Sequence, residues 1–465
     1  MSKNEFLTPA PANFIWPRCP EADQFIRDCL DRFLSHHEFA DHLASRMLAE
    51  TSTEFMSWVD HIVLPSHGYN PKDLFKGYGF IEDKMARCPA GVKALFHPYA
   101  DLPRIIISAK TKSMSCAIHV DSISHFLSAH DLSYLIEGAP FSTYRVARIP
   151  GRNGELLAVE RRGTRDYITG KKPKADDYLS GLEMWVNRPR LFKDETAGLK
   201  DTLSRAKKLA TRFGTGIASV IFLEGERIYW QKRNRAGQVQ KARQDALGLG
   251  WSNHDHHTFR SSRPQFPALI QVLLTFGFKK RERYYAGIDA GWGAQIMEQP
   301  EAGFIIFADV DLTPEDVSVD FSKEALPELD KPRTVGLWCA LHGESILQAG
   351  MHHLEAQFDF ERFKEFLNHS NLGLMNPFSD FPHLRQAFTK GESWPVVPER
   401  LERVKKEGKI SMQAYEEIKI KGAVGSHLEN LQRRDGFKGF NQKGVSQILR
   451  DVHPERQALN TEVGA

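Results

Sequence analysis

Cysteine is scarce in this chain, with five residues among 465. The five are scattered and none are spaced as Cys-x-x-Cys, which argues against a disulfide framework and against a thiolate metal site. Long apolar runs are also missing, since no window approaches the roughly 18 apolar residues of a membrane-spanning helix. The first residues lack the basic and apolar regions of a signal peptide. We therefore expect a cytoplasmic protein with no membrane partner.

A strong excess of either charge is absent as well, because 62 Lys and Arg residues nearly balance 59 Asp and Glu residues, for a net charge of +3. A nucleic-acid-binding chain should show a strong basic bias, so we expect no nucleic-acid partner. No Gly-x-Gly-x-x-Gly motif follows a strand-like run, which argues against a nicotinamide or flavin site. The length favours two to three domains.

Histidine is plentiful, with 19 residues, and it occurs as adjacent pairs at 256–257 and 352–353, in two of three stretches that organise the C-terminal half. The three stretches are Asn253–Arg260, Gly350–Phe358 and Gly425–Arg433. The first two place a histidine near the start of a short apolar strand that precedes an amphipathic helix, and the third places a carboxylate inside a strand-like run. Two imidazoles and one carboxylate, with open positions left over, form the facial triad of non-haem Fe(II) oxygenases. We therefore predict that His256, His353 and Glu429 bind one Fe(II).

The periodicity of the chain predicts one order of elements, strand, helix and then several strands, in four units that start near residues 58, 114, 254 and 350. Two such units usually pair into one open barrel, so the predicted fold class is α/β (α+β), with paired βαβββ units forming two open barrels. An N-terminal helix over 22–50 and charged helices over 193–213 and 233–247 are also predicted. An inserted helical pair is expected at 395–422, and the last predicted elements are a strand at 334–341 and a helix at 443–451.

These elements divide the chain into four predicted segments. They are an N-terminal helical segment (1–55), an N-terminal barrel domain (56–165), a helical linker (166–250) and a C-terminal metal-binding domain (251–455).

The order of elements and several motifs resemble the vicinal oxygen chelate superfamily. The C-terminal half is similar to two of its families, the 2-oxoadipate dioxygenase/decarboxylase (hydroxyglutarate synthase, DUF1338-like) family and, more distantly, the 4-hydroxyphenylpyruvate dioxygenases. The matching motifs are Asp255-His256-His257 with Arg260, Met351-His352-His353-Leu354, Leu384-Arg385-Gln386, Gly425-Ser426-His427, and Glu429-Asn430-Leu431-Gln432-Arg433 followed by Gly436 and Gly439-Phe440.

The resemblance implies an Fe(II)-dependent dioxygenase that decarboxylates a 2-oxo acid, with 2-oxoadipate as the first choice and O₂ as cosubstrate. In those families the metal is held by one histidine from each of two units and by a late glutamate, in agreement with the triad above. It also implies a catalytic, substrate-binding role for Arg260, which lies four residues beyond His256 and so on the same strand face, and substrate contacts for Arg385 and Gln432. A homo-oligomer is a further expectation.

Other interpretations remain open at this point. A glyoxalase-like isomerase or lyase would usually add a fourth protein ligand, such as Glu298; an aromatic 2-oxo acid is a second substrate choice; and a binding protein with an inactive site is a third class. The rival ligands are His427 and Glu344. Arg260 could instead form an ion pair with Asp309 or Asp311, and Glu429 could pair with Arg433. Core roles are expected for His61 and His119.

Overall fold

The computed structural model describes residues 16–170 and 173–440. Two helices come first, α1 (Pro20–Leu34) and α2 (Glu38–Arg46). Helix α1 starts at a proline, whose missing N–H costs nothing in a first turn, and it buries one stripe that includes Ile26, Cys29 and Phe33. The helical conformation predicted over 22–50 is confirmed, although a break at 35–37 divides it into two helices. The helix predicted at 443–451 lies outside the described residues.

The first sheet contains two βαβββ units, joined through antiparallel pairing of their first strands. The first unit contains β1 (Val59–Pro65), α3 (Pro71–Tyr78), β2 (Ile81–Glu82), β3 (Val92–Phe96) and β4 (Arg104–Ser108). The second unit contains β5 (Ser115–His119), α4 (Ile123–Ala129), β6 (Ile136–Glu137), β7 (Tyr144–Gly151) and β8 (Gly154–Arg161). The strand order is β2-β3-β4-β1-β5-β8-β7-β6, and α1 and α2 pack against this sheet.

Four helices follow. They are α5 (Ala175–Val186), α6 (Glu195–Phe213), α7 (Thr215–Gln231) and α8 (Arg235–Ala246). Helices α6 and α8 agree with the charged helices predicted from the sequence. Helix α7 has buried residues on every side, so it lacks the one-sided apolar stripe by which a surface helix is identified. It packs between the other linker helices and the second sheet, where the Phe222 ring stacks on Phe276 of the second sheet's first unit.

The second sheet repeats the paired units and contains the candidate site. Its first unit contains β9 (His254–Arg260), α9 (Phe266–Thr275), β10 (Lys279–Tyr285), β11 (Trp292–Gln299) and β12 (Phe304–Asp311), and is followed by α10 (Thr334–His342). The second unit contains β13 (His353–Gln357), α11 (Phe360–His369), β14 (Ser379–Phe381), β15 (Leu384–Phe388), β16 (Glu392–Trp394), α12 (Pro398–Lys406), α13 (Met412–Lys421) and β17 (Ala423–Arg433). The strand order is β10-β11-β12-β9-β13-β17-β15-β14, with β16 paired to β17.

The two sheets confirm the predicted fold class, an α+β chain of paired βαβββ units with N-terminal helices and a helical linker. In each sheet, the first strands of the two units lie side by side and antiparallel, and each also pairs in parallel with the last strand of its own unit. The four central strands therefore present their side chains to a common face. The inserted helical pair predicted at 395–422 is confirmed as α12 and α13.

The strand predicted at 334–341 is wrong, because these residues form α10. The segment is apolar on almost all sides, so its period does not separate a strand from a buried helix. A tertiary contact decides for the helix: the Asp311 carboxylate, at the end of β12, accepts hydrogen bonds from the backbone N–H groups of Arg333 (2.7 Å), Val335 (3.0 Å) and Gly336 (2.9 Å). These N–H groups lie at the start of the helix, where they have no acceptor within the helix itself and need one from outside.

Replacing Asp311 with Ala should loosen α10. The change leaves three N–H groups of the first turn without their acceptor, and the buried one, at Val335, carries most of an expected cost of about 1–3 kcal/mol. Hydrogen–deuterium exchange of residues 334–342 should therefore quicken, whereas Asp330→Ala, at an exposed position nearby, serves as the matched control. Unchanged exchange in the Asp311 variant would show that the cap does not hold the helix.

Candidate metal centre

A β-bulge shapes the start of β9. Two of its residues, Asp255 and His256, oppose the single residue Glu355 of β13, because the register shifts between Leu354 and Ala356. Bulges re-aim side chains and are frequent beside active sites. Here the His256 Nδ1 atom lies 3.0 Å from a Glu355 carboxylate oxygen and 3.3 Å from an Asp255 oxygen.

The next histidine, His257, has the opposite orientation, as strand alternation predicts. Its Nε2 atom lies 3.2 Å from the Arg227 guanidinium on α7. Only one histidine of the pair at 256–257 therefore belongs to the centre.

The structure brings the three predicted ligands together. The Nε2 atom of His353 lies 2.9 Å from Glu429 Oε2, and the Nε2 atom of His256 lies 3.9 Å from the same oxygen. One donor atom from each of the three residues lies within 4.8 Å of the other two. Donors bound to one metal at about 2.0–2.2 Å require separations of this order. All three side chains are buried.

The electrostatics of the cluster suit a cation. Burial raises the pKa of Glu429 well above its ordinary value, and the neighbouring carboxylates Glu355 and Asp255 raise it further. Burial lowers the pKa of His256, but Glu355 and Asp255 reverse this and raise it to about 9. The Arg433 guanidinium supplies a nearby positive charge, 3.2 Å from Asp255 and 3.9 Å from Glu355, which offsets part of the negative charge of these carboxylates. A divalent cation among these carboxylates would offset the negative charge that remains, so the residues fit a metal.

Polar contacts hold both imidazole rings. The Nδ1 atom of His256 donates a hydrogen bond to Asp255 and lies 3.0 Å from Glu355 Oε1, an ion-pair contact. The Nε2 atom of His256 is therefore directed toward Glu429. The Nδ1 atom of His353 lies 2.9 Å from the Nδ1 atom of His352. The Nε2 atom of His353 faces Glu429 and also lies 2.7 Å from the Thr258 hydroxyl. Partners at the Nδ1 atom are of the kind that orient metal-binding histidines.

Arg260 lies at the other end of β9, on the strand face of Thr258. Its guanidinium is buried, 3.9 Å from Asp309 and over the Trp338 ring at 5.5 Å. Within the described part of the chain, that guanidinium donates no hydrogen bond, and its Nε atom is fully enclosed. A buried guanidinium without hydrogen bonds is costly, and an anionic ligand would supply acceptors.

The two other predicted substrate residues lie elsewhere. Arg385 is on the β15 face opposite to Gln386, with ion pairs to Glu361 (2.8 Å) and Asp380 (2.9 Å). Gln432 donates to Glu54 (3.2 Å) at the junction with the N-terminal half. Neither side chain contacts the three candidate ligands.

Two further residues of the centre, Glu355 and Gln386, were not predicted from the sequence. The Gln386 amide donates to Glu355 (2.9 Å) and to Glu429 (3.3 Å), which links two buried carboxylates. One signal for Glu355 was available, because it follows His353 by two residues and so shares its strand face. Gln386 belongs to the matched motif Leu384-Arg385-Gln386, but only Arg385 was given a role there, because the position of Gln386 beside the carboxylates depends on the pairing of β15 with β17.

The rival residues have other partners. The His427 Nδ1–H group donates to the Thr389 carbonyl (2.8 Å), and Glu344 accepts from the Ser261 hydroxyl (2.6 Å). Glu298 lies on β11, 4.0 Å from Arg281. Among the residues that the structure describes, none of these three belongs to a group that could hold a metal.

No family model and no curated protein matches the sequence. Among solved structures, methylmalonyl-CoA epimerase from Mycobacterium tuberculosis is 12% identical over 39% of this chain and 88% of that chain, with a TM-score of 0.22. A mutant of 4-hydroxymandelate synthase from Streptomyces coelicolor is 12% identical over 87% of this chain and 99% of that chain, with a TM-score of 0.27. Because these scores are low, the fold assignment rests on the strand topology.

None of the helices in the described residues is both long and apolar enough to cross a membrane.

Replacing Asp309 with Asn should stabilise the metal-free protein increasingly as the pH rises. Burial raises the pKa of Asp309 to about 7 from an ordinary 3.8, although Arg260 lowers it. Between these values the folded protein keeps a proton that the unfolded chain has lost, so the wild type loses stability as the pH rises through this window. Each pKa unit corresponds to about 1.4 kcal/mol.

The measurement is the difference in melting temperature between the Asn variant and the wild type, followed from about pH 4 to about pH 8. Taking the difference cancels the other titrating groups. A difference that stays constant with pH would contradict the assignment.

Proposed function

We propose that this protein is a non-haem Fe(II)-dependent dioxygenase that oxidatively decarboxylates a 2-oxo acid. The metal ligands are His256, His353 and Glu429. The observation that carries the proposal is the number of donors: three protein side chains converge, and the position from which a fourth would come holds a phenylalanine.

The fourth position follows from the strand register. Glu429 lies two residues beyond the partner of His353 on β17. Phe307 lies two residues beyond the partner of His256 on β12, and the two rings are 4.3 Å apart between centroids. A phenyl ring cannot ligate a metal, so coordination positions stay open for substrate and O₂. This favours an oxygenase over a glyoxalase-like isomerase, which would usually fill that position.

When bound, Fe(II) would supply the redox centre and the Lewis acid. The protein side chains orient the ligands and exclude water. Glu355 and His352 hold the two imidazoles in place. Phe307, Phe388 and Phe440 place rings around the centre, which excludes water from the reacting groups. Loss of CO₂ from the 2-oxo acid would supply two of the four electrons needed to reduce O₂ and take up one oxygen atom, and hydroxylation of the same substrate would supply the other two electrons and take up the second oxygen atom.

Arg260 favours a dicarboxylic substrate, with a 2-oxoadipate-like acid as the first choice. Its guanidinium can bind a second carboxylate through two hydrogen bonds. Asp309 does not compete strongly, because it stands 3.9 Å away and its pKa is raised by burial to about 7. Phe440, which packs on Phe307 and Tyr284, makes an aromatic 2-oxo acid the second choice.

Single replacements of His256, His353 and Glu429 by Ala should each remove most of the bound iron, because each removes one of only three donors. Iron content is measured on untagged protein reconstituted without oxygen, and folding is followed by circular dichroism. His427→Gln, a change to the rival histidine, is the matched control and should retain iron. Full iron occupancy in all three Ala variants would refute the ligand set.

Turnover should consume O₂ and release CO₂ in equal amounts from a 2-oxo acid, with no added cosubstrate. An oxygen electrode and a parallel CO₂ assay test this with Fe(II), ascorbate and a panel of dicarboxylic, aliphatic and aromatic 2-oxo acids. Conversion that proceeds equally well without oxygen would reject the oxygenase and favour an isomerase or lyase.

Arg260→Met should lower kcat/KM for a dicarboxylic 2-oxo acid by a factor that corresponds to about 2–5 kcal/mol, the usual cost of losing one partner of a buried charge pair. Methionine keeps the apolar contact with Trp338. A monocarboxylic acid of equal chain length is the internal control and should lose much less. Equal losses for both acids would assign Arg260 a structural role.

A further inference from the structure

The two sheets of this protein share one local framework. In the first sheet, β1 also bulges where it pairs with β5: the register shifts between Val59 and His61, so Asp60 is the extra residue. Asp60-His61 thus corresponds in register to Asp255-His256 in the second sheet.

An arginine completes the framework in both sheets. The Arg161 guanidinium lies 2.9 Å from an Asp60 oxygen, and His61 Nδ1 lies 2.6 Å from the same carboxylate. In the second sheet, Arg433 is 3.2 Å from Asp255. Each arginine lies two residues beyond the last strand partner, Val159 on β8 and Leu431 on β17. The Asp–His–Arg trio is therefore present twice.

The remaining polar residues of the candidate centre are present only once. The register places Ser115 where the second sheet has His353 and Ala117 where it has Glu355. Leu157, the partner of Ala117, stands where the second sheet has Glu429. Within residues 16–170, no group of side chains could hold a metal. The Asp–His–Arg trio is present even in the first sheet, which lacks counterparts of the ligands His353 and Glu429, so the trio has a structural role. A counterpart of Glu355, in contrast, is present only in the sheet that contains these ligands.

The contacts of Glu355 agree with this division. Its side chain is fully buried, one oxygen lies 3.0 Å from His256 Nδ1, and the other accepts from the Gln386 amide at 2.9 Å. The Asp255 carboxylate accepts a hydrogen bond from His256 Nδ1 at 3.3 Å, but it is shared with Arg433. The Glu355 Oε1 atom is nearer to the imidazole and, among the described residues, has no hydrogen-bond partner, so its charge faces His256 without a competing hydrogen bond.

We infer that Glu355 is a positioning residue for the metal centre: it holds His256 with Nε2 toward the metal, whereas Asp255 and Arg433 hold the strands together as Asp60 and Arg161 do. The inference rests on the proposed metal centre, but it does not depend on the reaction. Carboxylates behind a ligating histidine typically contribute about 10–100-fold in metal affinity.

The test uses Co(II) as a spectroscopic probe on the full chain, with no turnover. We expect Glu355→Gln and Glu355→Ala to bind Co(II) about 10–100-fold more weakly than the wild type and to change its visible absorption spectrum. Asp255→Asn and its counterpart Asp60→Asn should instead lower the melting temperature by similar amounts, with a smaller loss of Co(II) affinity. If Glu355→Ala fails to fold, the isosteric Glu355→Gln variant still shows whether the carboxylate contributes to Co(II) affinity.

Two results would overturn the inference. One is wild-type Co(II) affinity and spectrum in both Glu355 variants, and the other is a loss in Asp255→Asn as large as in Glu355→Gln. Wild-type protein that binds Co(II) as expected but oxidises no 2-oxo acid would reject the proposed function while leaving the role of Glu355 intact. Wild-type protein that binds no Co(II) would reject both.

Discussion

The arrangement of the second sheet depends on one electrostatic constraint, the burial of three carboxylates side by side. Asp255, Glu355 and Glu429 are removed from water at the centre of the sheet, where an uncompensated charge is very costly. Arg433 compensates Asp255, whose pKa it holds below the ordinary value despite burial. The pKa of Glu429 is raised because burial and the negative charges of Glu355 and Asp255, which Arg433 does not fully offset, disfavour its ionised form. Protonation or a bound cation can remove the remaining negative charge, and two imidazoles at the same place select a transition metal.

The same constraint accounts for the difference between the two halves of the chain. Both sheets have the same strand order around their central strands, the same bulge and the same Asp–Arg bridge. In the first sheet, Ala117 and Leu157 replace two of the acidic residues, so Arg161 balances Asp60 and little charge is left over. The chemistry of the second sheet thus depends on a few substitutions within a shared framework, not on a different fold.

A second buried charge, Arg260, extends the site along β9. Its guanidinium has the Trp338 ring on one side and a carboxylate that stays 3.9 Å away. Polar groups held in a dry interior without full hydrogen bonding reduce stability and are typical of ligand sites. Helix α10, which contributes Trp338, is fixed to the sheet by the Asp311 carboxylate. The mispredicted helix is therefore what encloses this end of the site.

The sequence by itself determined the repeated order of strands and helices, because alternation and helical periodicity are local properties of the chain. It also singled out His256, His353 and Glu429, since each stands at a comparable place in a strand. It could not give the bulge that turns Asp255 and His256 to the same side, nor the neighbours Glu355 and Gln386, because these depend on which strands pair and in which register.

Only the tertiary structure decided the orientation of Arg385, because no strand was predicted at β15 and the pairing of β15 with β17 places Arg385 opposite Gln432, away from the three candidate ligands. Gln432 lies three residues beyond Glu429 on β17, so strand alternation alone places it on the opposite face, and the tertiary structure supplies its partner Glu54. The tertiary structure also decided the conformation of α10, since a segment that is apolar on all sides takes its structure from what it packs against. Local pattern thus fixed the elements, whereas contacts between residues far apart in the chain fixed which side chains share the buried centre.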